Sequence, residues 1–292
     1  MTLPGDNHVH TEWSWDAVEG AMDATCARAE QLRLPSVAFT EHADLTPWVV
    51  RPGDAMPEVL GRWLRPDGRV APRPLDVEGY LACLQRCRER YPELRILSGV
   101  ELSEPHWHAE QTEALLARGQ FHRVLGSVHS VGGRDEPRLV DHAMGDTAAA
   151  DVVRSYLAEA VVMAASDAPF QVLAHIDYPV RHWPADAGPF RPADFEDAFR
   201  EVLTVLAASG RALEINTRVP LAPELVQWWV DAGGDAVSFG SDAHRPRDLA
   251  NRFADAAQVA LDCGFRAAGA AGELWSRGVR SVPGTGGGRR LS

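Results

Sequence analysis

Cysteines, basic residues and long apolar runs are all scarce in this sequence, and each scarcity excludes a class of protein. Its 292 residues include only four cysteines, too few for a disulfide-rich scaffold. Their positions also lack the paired spacing of a zinc ribbon. We therefore interpret Cys26, Cys83, Cys87 and Cys263 as small apolar side chains in a reducing compartment.

Basic residues and long apolar runs are also scarce. Lysine and arginine total 29 against 41 acidic residues, a formal net charge of −12, which disfavours attraction to nucleic acid or to an anionic membrane surface. No run approaches the roughly 18 apolar residues of a membrane span, and the first ten residues lack the basic start and apolar stretch of a signal peptide. We expect a cytoplasmic protein with no nucleic-acid or membrane partner; the sequence leaves its oligomeric state open.

Apolar, β-rich segments alternate with helical segments along most of the chain. This order favours one parallel α/β domain over residues 1–282, and a barrel is the most economical way to close its sheet. The predicted strands cover 6–10, 36–40, 95–101, 123–127, 171–174, 211–217 and 236–240. The predicted helices cover 18–34, 77–91, 109–119, 147–167, 192–209, 222–232 and 247–263.

Three segments do not follow this alternation of strands and helices. Residues 43–76 are rich in proline and interrupted by polar residues, which indicates either a lid over a binding site or a variable surface insertion. Residues 278–282 can add a short strand, and 283–292 are expected to form a flexible tail.

Histidine and acidic residues follow the ends of the predicted strands. His8 and His10 lie two apart in an extended run, so their imidazoles share one face. The carboxyl ends of barrel strands converge on one face, where catalytic residues lie. The sequence therefore predicts that the following side chains meet: His8, His10, His42, Glu101, His129, His175, Asp242 and His244.

A bound cation is the simplest explanation for such a cluster. Each member also has a structural explanation, because His175 can be a core histidine, Asp242 a helix cap and Glu101 a buried ion-pair partner. Together, however, they would be costly to desolvate without positive charge. Histidine with carboxylate favours zinc, iron or manganese over magnesium or calcium. The ligands outnumber those of one ion, and a bridging carboxylate such as Glu101 would let two metals activate water and hold a phosphoryl group.

These residues lie in motifs that resemble the polymerase and histidinol phosphatase (PHP) family. The resemblance runs from about residue 6 to residue 250 in the family's order. The matching stretches are Asp6-Asn-His-Val-His-Thr-Glu-Trp-Ser-Trp-Asp16, Phe39-Thr-Glu-His42, Gly99-Val-Glu101, Gly126-Ser-Val-His129, Ala174-His-Ile-Asp177 and Gly240-Ser-Asp-Ala-His244.

The resemblance implies a distorted (β/α)7 TIM-like barrel with two to three divalent metals at the carboxyl ends of its strands. In this reading His8, His10, Glu101 and Asp242 hold the first metal. Glu101 bridges to a second metal held by His129 and His175. A third metal is held by Asp16, His42 and His244, with Asp16 at a position where some relatives have histidine.

Within the family, the motifs are most similar to those of monofunctional histidinol-phosphate phosphatases. His175-Ile-Asp-Tyr-Pro-Val-Arg181 resembles a segment in which a basic residue follows the metal histidine. The segments after Glu101 and after Asn216-Thr217 depart from that pattern, which bears on the substrate more than on the chemistry.

The expected activity is metal-dependent hydrolysis of a small phosphate monoester. The expected reaction converts histidinol phosphate to histidinol and phosphate in histidine biosynthesis. The expected catalytic residues are Glu101, Asp242, His244 and Arg181. We expect Arg181 and Arg218 to bind phosphate, since guanidinium grips it bidentately, although surface ion pairing explains them equally well.

Other readings stay open. The proton for the leaving group can come from metal-bound water or from His106, His108 or His182, whereas we interpret His122 and His142 as structural. A PHP-family enzyme for nucleotides or other small phosphate esters would use the same cluster. So would a non-catalytic metal-binding barrel, although that class is expected to have lost ligands.

Overall fold

The computed structural model describes residues 3–267, 269 and 274–278. These residues form a mixed α/β fold around one large sheet. The strands are β1 (Asp6–Val9), β2 (Ser36–Asp44), β3 (Trp48–Val49), β4 (Arg69–Val70), β5 (Arg95–Ser103), β6 (Arg123–Ser127), β7 (Ser130–Val131), β8 (Arg138–Leu139), β9 (Val172–Leu173), β10 (Ala212–Asn216), β11 (Ala236–Gly240), β12 (Arg266–Ala267) and β13 (Trp275–Ser276).

Helices fill most of the connections between the strands. The α-helices are α1 (Met22–Leu32), α2 (Glu58–Gly61), α3 (Val77–Arg90), α4 (Ala109–Leu116), α5 (Val140–Met144), α6 (Ala149–Ala165), α7 (Glu196–Ala208), α8 (Pro223–Asp231) and α9 (Phe253–Asp262). Short 3-10 helices cover Pro105–Trp107, Tyr178–His182, Ala185–Ala187, Pro192–Phe195 and Pro246–Asp248.

Seven strands of the large sheet run parallel and close on themselves. Their order is β1-β2-β5-β6-β9-β10-β11, and each neighbouring pair is parallel. The chain after β11 returns to β1, because the Asp242 amide donates to the His8 carbonyl at 2.8 Å and the His10 amide donates to Ala243 at 2.9 Å. The predicted distorted (β/α)7 barrel is therefore confirmed, with irregular register in β1 and only two residues in β9 as visible distortions.

Apolar periodicity explains how the helices pack against this sheet. In α7 the buried residues are Phe199, Val202, Leu203 and Leu206, spaced three and four apart so that they form one stripe. Gly210 follows with a φ of 71°, a conformation that glycine adopts without steric cost and that ends the helical stretch. The sequence pattern located this helix because one face packs into a common core.

Two predicted helix starts are wrong. The helix predicted over 18–34 begins only at Met22, and the helix predicted over 247–263 begins only at Phe253. Ala250 and Arg252 have φ values of 53° and 56°, outside the right-handed helical region, so the chain before Phe253 cannot be α-helical.

The proline-rich segment 43–76 contains more structure than its composition predicts. It includes the end of β2, the antiparallel pair β3–β4 and the short helix α2. Trp48, Leu60 and Val70 pack with Leu139 in a small hydrophobic cluster separate from the main core. The clustering depends on Leu139, a residue distant in sequence, which local patterns cannot reveal.

The carboxyl-terminal predictions fall largely beyond the described residues. The predicted strand 278–282 lies outside them except for Gly278, and the predicted tail 283–292 lies wholly outside. The observed strand nearby is β13, which pairs antiparallel with β11. Within the described ranges, no helix combines the length and apolar character that a membrane crossing needs.

Candidate metal centre

Glu101, near the carboxyl end of β5, lies at the centre of the histidine cluster. Its Oε1 is 2.8 Å from His175 Nε2 and 3.4 Å from His129 Nε2. Its Oε2 is 3.0 Å from His42 Nδ1 and 3.3 Å from His8 Nε2. One fully buried carboxylate thus faces imidazoles from four other strand ends.

The other predicted ligands extend the same cluster. His10 Nε2 lies 3.0 Å from His8 Nε2 and 3.4 Å from Asp242 Oδ1. Asp16 Oδ2 lies 3.0 Å from His244 Nε2 and 3.4 Å from His42 Nε2. The structure therefore brings together all nine side chains that the sequence singled out as ligands.

Several triplets in this cluster are compact enough to surround one cation. In each, one potential ligand atom per residue lies within 4.8 Å of the others. The triplets are Glu101–His129–His175, His8–His10–Glu101, His8–His175–Asp242, His10–His42–His244 and His42–Asp44–His129. The first coincides with the set expected around a second metal, while Asp44 is a potential ligand that the sequence analysis missed.

Unpartnered polar atoms indicate a cation site in this cluster. Asp16 Oδ1 is buried and has no hydrogen-bond partner among the described residues. Glu101 Oε2 and His42 Nδ1 are also buried, and although they lie 3.0 Å apart they do not meet hydrogen-bond geometry. His8 and His10 direct their Nε2 atoms at each other, which a shared proton or a metal between them would satisfy. The donor set of imidazole nitrogen and carboxylate oxygen therefore fits zinc, iron or manganese.

The electrostatics of the cluster favour positive charge at its centre. Burial would raise the pKa of Glu101, but His8, His42 and His129 hold it well below its usual value. Burial and the positive charge of Arg181 lower the pKa of His175 to about 4, so this imidazole is neutral, the form that binds metals. Burial would lower the pKa values of His8, His42 and His129, but the surrounding carboxylates raise them, so the negative charge of the cluster favours a cation, either a proton or a metal, at its centre.

The backbone is strained at two of these residues. His175 has a φ of 22° and Asp242 a φ of 53°, values that residues other than glycine rarely adopt. Such conformations persist where surrounding contacts enforce them and are concentrated at functional sites. Here the turns direct the His175 and Asp242 side chains toward Glu101 and His10.

Glu214 contacts two candidate ligands, and the sequence analysis did not assign it a role. It is fully buried in β10, where its carboxylate contacts His8 Nδ1 at 2.7 Å and accepts the His175 amide at 2.8 Å. A Cβ on Gly240 would lie 2.1 Å from Glu214 Oε1, so glycine is required for this close approach. The available signal was an acid between the apolar residues Leu213 and Ile215 of the strand.

Both arginines that the sequence analysis predicted to bind phosphate lie beside the cluster. Arg181 Nη2 is 2.6 Å from Asp242 Oδ2, and its guanidinium lies 4.9 Å from the Tyr178 ring centre. Arg218 Nη1 is 3.3 Å from Asp242 Oδ1 and 2.9 Å from His244 Nδ1. Arg245 instead pairs with Glu19 and Asp248 on the surface.

The cluster opens into a cavity of about 540 Å³. Six of the nine candidate ligands line it, and Arg181 and Arg218 add positive charge to the same lining. Residues from the 43–76 segment contribute an apolar wall. These apolar residues are Trp48, Pro57, Val59 and Leu60.

Of the three histidines considered as proton donors, only His182 lines this cavity. His106 instead contacts Glu159 at 2.6 Å, and His108 contacts Thr46 at 2.9 Å. The two histidines interpreted as structural have local partners, since His122 contacts Ser98 and His142 contacts the Ala55 carbonyl.

Comparison with known proteins decides the family. The PHP domain family model matches residues 6–218. The chain belongs to the PHP domain family. This PHP-domain chain is 28% identical over 278 residues to a probable histidinol-phosphatase of Deinococcus radiodurans, covering 91% of this chain and 96% of the relative. It is 25% identical over 271 residues to a probable histidinol-phosphatase of Clostridium acetobutylicum, covering 89% and 94%.

Solved structures show the same fold. The PHP-domain chain superposes with a TM-score of 0.73 and 20% identity on histidinol phosphate phosphatase from Lactococcus lactis, which was crystallised with zinc, L-histidinol and phosphate. The match covers 90% of this chain and 94% of that chain. A putative histidinol phosphatase from Listeria monocytogenes superposes with a TM-score of 0.69 and 16% identity, covering 86% and 99%.

Proposed function

We propose that this PHP-domain protein is a metal-dependent phosphomonoesterase whose substrate is histidinol phosphate. The observation that carries the proposal is the cavity in which the ligand cluster meets Arg181 and Arg218. The named relatives and the zinc, histidinol and phosphate bound by the L. lactis protein support the choice of substrate.

Two to three divalent ions, zinc, iron or manganese, would occupy the cluster. His8, His10, Glu101 and Asp242 would hold the first, and Glu101 would also reach a second with His129 and His175. Asp16, His42 and His244 would hold the third, where the structure adds Asp44 as a neighbour of His42 and His129. When bound, such ions activate water and stabilise the charge that develops on phosphorus.

The protein's own side chains would bind and orient the ester. Arg181 and Arg218 would grip the phosphoryl oxygens, and Asp242 would hold both guanidiniums in place through its two oxygens. His244 would orient Arg218 through their 2.9 Å contact. His182 would deliver a proton to the leaving oxygen, because its Nε2 is buried and has no hydrogen-bond partner among the described residues.

The 43–76 segment would cover the leaving group. Its apolar residues line the cavity together with the arginines, and Trp48 and Leu60 also belong to the small hydrophobic cluster. Exclusion of water there would strengthen the electrostatic contacts to phosphate. We propose that residues 1–282 form one domain and that this segment is its lid.

Steady-state hydrolysis separates the candidate functions. Histidinol phosphate, AMP and p-nitrophenyl phosphate are compared on protein of measured metal content. We expect kcat/KM for histidinol phosphate to exceed the other two by about 100-fold or more. Comparable low rates on all three would contradict this substrate and leave the phosphatase activity standing. Preference for AMP would favour the nucleotide alternative, and no turnover by metal-loaded protein would favour a non-catalytic barrel.

A further inference from the structure

Four carboxylates line the cavity, and three of them form ion pairs within 4.0 Å. They are Asp16, Asp44, Asp141 and Asp242. Asp16 pairs with His42 and His244, and Asp242 pairs with the two arginines. Asp44 lies 3.2 Å from His129 and accepts a hydrogen bond from the Trp15 indole.

Asp141 differs from these three. Among the described residues, no ion pair includes it, and its one recorded hydrogen bond is from the His142 backbone amide to Oδ1 at 2.8 Å. It is half-buried at the start of α5, which packs against the 3-10 helix that carries Arg181 and His182. Asp141 acts electrostatically on the neighbouring His182 imidazole, whose pKa burial lowers, but no arginine or lysine pairs with Asp141 in the described part of the chain.

The cavity therefore presents charges of both signs to a ligand. Arg181 and Arg218 supply positive charge beside the ligand cluster, while Asp141 supplies negative charge from the same cavity lining. Trp15 and Trp48, with ring centres 5.8 Å apart, line the apolar side. A ligand that matches these features has an anionic group, a compact unsaturated or apolar body and a cationic group.

We propose that Asp141 is a specificity residue that binds the ammonium group of the substrate, which makes the site selective for phosphate monoesters of amino alcohols. This inference rests on the proposed function and adds to it a residue that chooses between substrates. The ammonium would use the free Asp141 oxygen, whereas Oδ1 would keep its backbone hydrogen bond. A neutral alcohol would leave this carboxylate desolvated and unpaired, which costs binding energy.

The test compares histidinol phosphate with its des-amino analogue, 3-(imidazol-4-yl)propyl phosphate. The measured quantity is selectivity, the kcat/KM for histidinol phosphate divided by that for the analogue. Wild-type protein should favour histidinol phosphate, and Asp141→Asn should lower the selectivity by about 10- to 100-fold, the range for loss of a charged hydrogen bond. Asp141→Glu should retain more selectivity than Asp141→Asn.

Asp186→Asn is the matched control, since it removes the same charge from an exposed 3-10 helix outside the cavity lining. It should keep the wild-type selectivity. Equal losses on both esters in Asp141→Asn would leave the ratio unchanged and overturn the inference, because Asp141 would then act on the reaction itself. Wild-type hydrolysis of both esters with equal efficiency would overturn it while the phosphatase activity stands. If wild-type protein hydrolyses neither ester, the proposed function fails and the inference fails with it.

Discussion

His8 and Glu214 form a fully buried hydrogen bond in which Nδ1 and Oε1 are 2.7 Å apart. Burial would raise the pKa of Glu214, but the positive charge that His8 carries when protonated keeps it below its usual value. The carboxylate thereby fixes the proton on Nδ1 and directs Nε2 toward Glu101. The same carboxylate accepts from Asn216 Nδ2 at 3.0 Å, and Asn216 Oδ1 accepts from Arg181 at 3.3 Å. Glu214 thus connects the candidate ligand cluster with Arg181 through Asn216.

Glu214→Gln should weaken metal binding while preserving the fold. Glutamine keeps the shape and can still accept from His8, but it removes the charge that makes the imidazole a stronger ligand. Loss of such a supporting contact typically costs about 10- to 100-fold in metal affinity or activity. Metal titration of chelator-treated protein measures the effect, and Glu224→Gln, an exposed residue, is the control. Unchanged metal affinity in Glu214→Gln would show that the charge of Glu214 does not contribute to metal binding.

Metal removal should destabilise the protein through Glu101 and its neighbours. A ligand present at 100 times its Kd stabilises the folded state by about 2.7 kcal/mol. For a chain of this size that corresponds to a fall in Tm of about 4 °C after chelation. Readdition of zinc or manganese should restore the Tm, whereas magnesium should not.

Glu101→Ala provides the control for that measurement. This variant should lose bound metal and turnover together, and its Tm should no longer respond to chelation. Full metal content with unchanged activity in Glu101→Ala would disprove a bridging role for this carboxylate.

The sequence predicted the barrel and its ligands because both depend on local patterns. Apolar β-rich runs located the strands, and His or Asp at strand ends located candidate ligands such as His175 and Asp242. Asp44 escaped notice because β2 continues four residues beyond its predicted end, through pairing of Asp44 with Ser103. Glu214 and Asp141 escaped because their importance depends on neighbours distant in sequence. Local periodicity carries no information about such contacts.

Arg218→Ala should reduce phosphate binding. Arg218 is partly exposed, contacts Asp242 and His244, and lines the cavity. Removing a charged hydrogen-bond donor to phosphate should lower kcat/KM by about 10- to 100-fold. Arg245→Ala should leave kcat/KM at the wild-type value, because Arg245 pairs with surface acids and lies outside the cavity lining. Inorganic phosphate inhibition should weaken only in Arg218→Ala; equal inhibition in both variants would contradict the assignment.

Arg138 anchors the 43–76 segment to the barrel. Its buried guanidinium is 2.8 Å from Asp54 Oδ1, 2.7 Å from Asp146 Oδ1 and 3.1 Å from the His142 carbonyl. Asp54 is also buried, so Arg138→Met would leave its carboxylate without this partner. Breaking one side of a buried pair costs about 3 kcal/mol or more, which urea unfolding would detect.

The double variant Arg138→Met/Asp54→Asn tests the cause of that loss. Removing both charges should be less destabilising than Arg138→Met alone, since no buried carboxylate remains unpaired. Arg62→Met, which breaks an exposed pair with Glu58 in the same segment, should leave the free energy of unfolding nearly unchanged. If the segment is a lid, Arg138→Met should also raise KM for histidinol phosphate more than Arg62→Met does, because α2 and its neighbours supply one wall of the cavity. An unchanged KM in a destabilised Arg138→Met protein would mean that this anchor stabilises the fold without shaping the binding site.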